Sequence, residues 1–279
     1  GATKVGIAAS GTAEITLHHV IEKGTLPDET DSYGGGVNGY DSATIEIRQS
    51  LLVANRLWGV GVGDGSTSAH VVDSVVEDTL LEESSQDFGY GIAANFGGSA
   101  VVDHVAITGV AGPGIAGYDA DTVHAVASIV EKASGVHSLG LIAERSTDEN
   151  PNVDLTADRV AVVGVDGDGF IAVNLAKAEI TESLVIGGTP EVKPESGGFY
   201  TEGKAKLTIK DAAAADNAGV GVIANDQGTE LTVDGLLVEG EHEVATHDTG
   251  EGIDVQKAAT GTLSRVAAFS NARAGIEFL

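Results

Sequence analysis

The chain has 279 residues, with 42 Asp plus Glu against 15 Lys plus Arg and a formal net charge of −27. That balance excludes nucleic acid as a partner, because phosphate binding needs basic density, and it disfavours an anionic membrane surface. The absence of Cys excludes a disulfide framework, thiolate catalysis and Cys-based zinc sites, and no apolar run approaches the roughly 18–20 residues of an inserted membrane helix.

Hydrophobic residues make up 42% and aromatics only 4%, so the core must be aliphatic. Glycine is frequent at 39 residues and proline scarce at 5, which suits many tight corners rather than a disordered linker. The acidity fits solubility of an elongated molecule, a saline habitat or divalent cations, and composition does not separate these. Met is absent, including at position 1, so the expectation is a segment excised from a longer chain.

In chain order, a glycine followed by an apolar residue recurs. It falls at Gly6-Ile7, Gly36-Val37, Gly59-Val60, Gly91-Ile92, Gly114-Ile115, Gly140-Leu141, Gly169-Phe170, Gly198-Phe199, Gly221-Val222, Gly252-Ile253 and Gly275-Ile276. Four of the ten intervals are 23 residues and the others run from 26 to 32, which reads as a fixed rung with insertions. The bare unit, residues 36–59, carries three short apolar runs: around Val37, at Ile45 to Ile47 and at Leu51 to Val53, parted by polar or small residues. Three strands and three corners per unit predict an all-β fold: a right-handed parallel β-helix of about ten rungs, one domain over residues 1–279. At roughly 4.8 Å between strands, ten rungs make a rod about 50 Å long.

Two stretches compete as helix, 176–186 and the alanine-rich 211–216. Polar/apolar alternation at Thr44-Ile45-Glu46-Ile47-Arg48 and over 205–209 and 229–233 favours strand, with the alanines as small core fillers. Asn55, Asn217 and Asn271 each precede an opening glycine by four residues and read as left-handed corner residues; Val110 takes the same offset and breaks any asparagine ladder.

Four acidic insertions, 23–35, 78–90, 187–197 and 240–251, leave from the corner after the third strand and project along one edge. A fifth, 145–153, leaves from the other side of the first strand. In the opening strand the residue after glycine points in and the next points out, giving the outward set Ala8, Asn38, Gly61, Ala93, Ala116, Ile142, Ile171, Tyr200, Ile223, Asp254, Glu277. Its apolar middle, with Ile142, Ile171 and Ile223, is either core beneath the inserted loops or a docking strip for a protein partner. Tyr40, Tyr118 and Tyr200 are candidates to stack on sugar rings, or plain surface residues. Asp166 and Asp168, two acids on glycine-permitted bends, are the candidate metal ligands, for Ca2+, although the full calcium-loop pattern is missing and a corner turn explains them as well. His18-His19 and His242 with His247 have no partner set for zinc. No pair of placed carboxyls can be nominated for acid–base hydrolysis, and no phosphate loop or Ser-His-Asp spacing is present, so no catalytic residue is assigned.

The segments 21–37 (IEKGTLPDETDSYGGGV) and 75–92 (VVEDTLLEESSQDFGYGI), with SLLVANRLWGVGV between them, share one motif. A strand end is followed by Thr-Leu, an acidic loop, an aromatic-Gly pair, then Gly and a branched residue. In this the chain resembles the uncharacterised bacterial multi-repeat right-handed parallel β-helix proteins, whose solenoid architecture is pectate-lyase-like without the lyase motifs. The resemblance spans nearly the whole chain. It implies an extracellular or cell-envelope location and carries no catalytic residues over. The function expected is a non-catalytic secreted or cell-surface β-solenoid acting as spacer, adhesin-like stalk or binding module. The alternative is a carbohydrate-active β-helix, lyase, hydrolase or glycan binder, using the loop-flanked first-strand face. Exposed pairing edges at either end would permit end-to-end or side-by-side self-association.

Overall fold

The computed structural model describes residues 5–25, 34–81, 89–135, 138–146, 154–188, 197–243 and 250–279. Among these there is no helix, and every strand pairing is parallel. Each rung has a first, a second and a third strand, in rung two Gly35–Tyr40, Thr44–Arg48 and Leu51–Val53. Eleven first strands stack into one sheet, and the second and third strands of ten rungs form the other. The chain is an all-β parallel β-helix.

The expected openings are the inward row of the first sheet. Ile7 pairs with Val37, and the row continues through Val60, Ile92, Ile115, Leu141, Phe170, Phe199, Val222, Ile253 and Ile276. From Val37 to Ile253 all are buried, and Phe170 and Phe199 stack with ring centroids 5.3 Å apart. The glycine before each is fixed by packing. A β-carbon at Gly169 would lie 2.5 and 2.6 Å from the Val185 methyls and 2.8 Å from the Gly198 carbonyl oxygen. One at Gly91 would lie 2.5 Å from both Ile107 and the Gly114 carbonyl oxygen. At Gly59, Gly91, Gly114, Gly140, Gly169 and Gly221 the third strand's central aliphatic side chain fills the volume that a side chain on the opening residue would need, while at Gly36 the Glu22 and Asn55 side chains do so and at Gly198 the Gly221 backbone does. The two segments that compete as helix are strands, Lys177–Thr181, Leu184–Ile186 and Lys206–Ala215.

The corners correct the reading of the asparagines. The left-handed residue of the third corner lies one position before them, at Ala54, Asp216 and Ser270, with Asp78 and Lys132 in the same row. The second corner repeats the device at His19, Gln49, Asp73, His104, Ala127, Arg159, Glu182, Asp211 and Arg265. Asn55, Asn217 and Asn271 instead reach across rungs. Each side-chain oxygen accepts the backbone N–H one rung earlier, from Thr25 (3.1 Å), Gly188 (2.8 Å) and Glu241 (3.2 Å) respectively. The ladder is broken at Val110, Ala133 and Val165, which bury apolar side chains there. Serines do the same work at the second corner. Ser50, Ser74, Ser128 and Ser183 accept an N–H from the preceding rung and donate to the carbonyl two residues back.

The insertions fall between the described strands as spaced, four after the third strand and the fifth between Leu141–Glu144 and Asp154–Asp158. Their residues Asp28, Glu29, Asp31, Glu82, Glu83, Asp87, Glu191, Glu195 and Asp248 lie outside the described residues. Two acids expected to project do not: Glu241 and Glu251 are 1% and 3% exposed. Glu251 is paired with Arg273 at 2.9 Å.

Candidate functional site

The outward face of the first sheet is a second apolar layer. Ala93, Ala116, Ile142, Ile171, Tyr200 and Ile223 form a buried row, flanked by Tyr90, Leu139 and Val220 from the positions just before the opening glycines. Ile142 and Ile171 are each 6% exposed, and a docked partner would have to replace what already surrounds them. Near the other end Trp58 closes this layer. Its indole lies over Gly61, where a β-carbon would come within 2.7 Å of the ring, and its N–H donates to the buried Asn38 Oδ1. Gly61 lets the ring lie flat on the sheet.

The three tyrosines are not one platform. Tyr40 and Tyr118 occupy the same outward row three rungs apart, at the ends of Gly35–Tyr40 and Ile115–Tyr118, and Tyr200 sits in the neighbouring row three rungs further on. Tyr118 packs on Tyr90 with centroids 5.6 Å apart. Burial, then Tyr90 and Glu144, hold its hydroxyl protonated far above the usual phenol range. Tyr200 donates to Glu202, and burial followed by that carboxylate raises its pKa likewise. Tyr40 is half-buried.

Asp166 is half-buried and accepts the Gly135 N–H at 3.4 Å, while Asp168 is 3% exposed just before Gly169. Among the described residues no three His, Asp or Glu side chains converge as a metal site requires.

A feature the sequence reading did not nominate is a cleft of about 500 Å³ along the first corner. Four successive turns build it: Arg145 and Ser146 after the first strand of rung six, Asn174 and Leu175 in rung seven, Gly203 and Lys204 in rung eight, Asp226 and Gln227 in rung nine. Asn174, Leu175, Gly203, Lys204 and Asp226 all have left-handed backbone, which turns the chain sharply and sets the side chains along the edge. The rim is tied down by hydrogen bonds. Ser146 N–H and hydroxyl both donate to Asp119, the first at 2.8 Å, and Asn174 Nδ2 donates to Glu144 Oε1 at 3.3 Å. The Lys204 N–H donates to Thr229 Oγ1 at 3.0 Å, and its ammonium forms no ion pair with a described residue. The sequence signal was the fifth insertion leaving at Arg145, combined with the Asn, Gly-Lys and Asp-Gln pairs at equivalent turns of the next three rungs.

No helix among the described residues is long and apolar enough to cross a membrane. No protein-family model matches the chain, and no curated protein matches it. A solved structure, that of the tailspike protein gp49 from Pseudomonas phage LKA1, aligns over 94% of this chain at 9% identity with a TM-score of 0.38. The chain spans about half of that structure's length, 52%.

Proposed function

We propose that this chain is a non-catalytic β-solenoid of a secreted or cell-surface protein, serving as a rigid spacer and as a binding module for an acidic, hydroxyl-rich polymer such as an acidic glycan. The observation that carries the reading is the four-turn cleft. Rungs repeat at roughly 4.8 Å, so four turns offer about 14 Å of edge, a match for a few units of an extended chain. Ser146, Asn174 and Gln227 offer amide and hydroxyl groups for hydroxyls. Lys204, lacking an ionic partner among the described residues in a chain of net charge −27, is placed to meet a carboxylate or sulfate. Hydrogen bonds to a charged group are worth about 1.5–3 kcal/mol.

The test is calorimetric titration with acidic and neutral oligosaccharides. Binding of the acidic set, weakened at least about tenfold in Lys204→Ala and by raised salt, is the expected result. No binding of either set, or equal binding by Lys204→Ala, overturns the reading. Release of new reducing ends would instead establish the carbohydrate-active alternative.

A further inference from the structure

Glu241 occupies a ladder position that asparagine holds in the rungs on either side. The third-corner column runs Gly188, Asn217, Glu241, Asn271 in successive rungs. Its backbone is continuous: Ala218 N–H donates to the Gly188 carbonyl (2.7 Å), His242 N–H to Asn217 (2.8 Å) and Ala272 N–H to Glu241 (2.9 Å). The side chains form a parallel chain of bonds. Asn217 Oδ1 accepts Gly188 N–H at 2.8 Å, Asn217 Nδ2 donates to Glu241 Oε1 at 3.2 Å, and Glu241 N–H donates to Asn271 Oδ1 at 3.2 Å.

An asparagine at position 241 would bring both an acceptor and a donor to this chain. The glutamate brings a longer side chain and a titratable proton. It is 1% exposed, and its Oε2 and the Asn271 Nδ2 have no hydrogen-bond partner among the described residues. A buried carboxylate with one oxygen unsolvated is costly, while a neutral carboxyl is far less so. The described ionisable groups on the flanking corners do not compensate a charge here. Asp216 opposes it, His242 lies 3.9 Å from that same Asp216 and is exposed, and Arg273 is already engaged by Glu251 at 2.9 Å.

We propose that Glu241 is a proton-operated latch on the third corner: protonated, it stays buried and leaves the ladder from Gly188 to Asn271 intact, and ionised, its uncompensated buried charge loosens the chain from Asn217 onward. Burial first, then Asp216, pushes its pKa from 4.5 up to about 8, against the pull of the Asn217 bonds. The sign follows from linkage. The folded carboxyl holds a proton that the unfolded one has lost between pH 4.5 and about 8. The stability it contributes is therefore complete below pH 4.5 and is lost as pH rises through about 8. Nothing in the latch depends on what fills the cleft.

Hydrogen exchange resolved along the whole chain, corrected for intrinsic rates and compared at pH 6 and pH 9, tests this without any ligand. In the wild type, amides of Glu230–Glu239 and Thr260–Phe269 should lose protection on the order of 100-fold, while rungs two to five hold theirs. In Glu241→Gln, which cannot ionise, the loss should be less than about threefold. Glu241→Asn, which restores the ladder residue of the adjacent rungs, should behave like Glu241→Gln and guards against a variant that folds poorly. A wild type that keeps its protection at pH 9, or variants that lose as much as the wild type, or a loss spread evenly over all rungs, overturns the latch.

Discussion

In the middle of the rod the third corner is sealed by aliphatic side chains; towards both ends it is sealed by polar ones. Val110, Ala133 and Val165 fill the central positions, whereas Thr25, Asn55 and Thr79 fill one end and Asn217, Glu241 and Asn271 the other. Each end also buries a glutamate at this corner, Glu22 at one and Glu241 at the other (Glu251, buried beside the latter, is paired with Arg273), and the two are provisioned differently. Glu22 points inward from the third strand of rung one, where later rungs carry Leu52, Val76 and Ile107. Thr25 Oγ1 donates to its Oε1 at 2.6 Å and Asn55 Nδ2 to its Oε2 at 2.5 Å. Glu241 has a single side-chain donor, at 3.2 Å. Burial is similar, 8% and 1% exposed, so the two differ chiefly in the supply of side-chain donors.

The largest effect should come from the aliphatic middle, where the seal is volume and nothing can rehydrate. Gly169→Ala forces a methyl against Val185 and the Gly198 carbonyl, and should cost about 3 kcal/mol of local stability. Gly63→Ala, whose nearest neighbour would be 3.7 Å away, is the control and should change stability by less than about 0.5 kcal/mol. Both are read by amide exchange across the affected rungs, because a solenoid opens rung by rung and a single melting temperature would average the effect away. Equal costs for the two glycines would sink the packing account of the repeat.

The next effect contrasts the two glutamates. Glu22→Ala strands two buried donors, Asn55 Nδ2 and Thr25 Oγ1, and should cost about 2–3 kcal/mol at pH 7. Glu241→Ala removes only the bonds from Asn217, the side-chain one long at 3.2 Å, and also an unpartnered oxygen, so about 1 kcal/mol or less is expected. Exchange protection in rungs one and two against rungs nine and ten measures both. A costlier Glu241→Ala would mean that the ladder, and not the satisfaction of the carboxylate, governs these corners.

The opening glycines located every rung from sequence because they mark a packing constraint that each repeat must meet, and such constraints leave a periodic trace. The asparagines misled for the opposite reason. Their type announces a corner without saying whether the side chain bonds its own turn or a rung 24 or more residues away. The left-handed positions themselves, Ala54 or Arg159, carry no propensity signal, since stacking between rungs overrides it. The cleft was equally hidden: its lining spans positions 145 to 227, and only the register of the coil brings four turns into line. Glu241 sat in an acidic insertion and read as solvated; that it lies on the ladder follows from the pairing of Val238 with Ala214, three residues earlier in both rungs.

The smallest effect concerns those silent corners. Ala127 has φ 45° at the second corner of rung five, between His104 and Arg159 of the neighbouring rungs. Its N–H donates to the Asp158 carbonyl at 2.9 Å, and the Val126 carbonyl before it accepts the His104 N–H, so the stack holds the residue in place. A left-handed L-residue costs about 1–2 kcal/mol, and glycine escapes that cost while losing about 0.5–1 kcal/mol through the freedom of its unfolded chain. Ala127→Gly should therefore stabilise rung five by up to about 1 kcal/mol, and Gly235 already fills the equivalent position in rung nine. Slower exchange at Thr122–Val126 and Ile129–Glu131 is the expected signature. Faster exchange there would show that stacking between rungs has removed the conformational cost of the corner, and the same relief would then apply to every non-glycine corner along the rod.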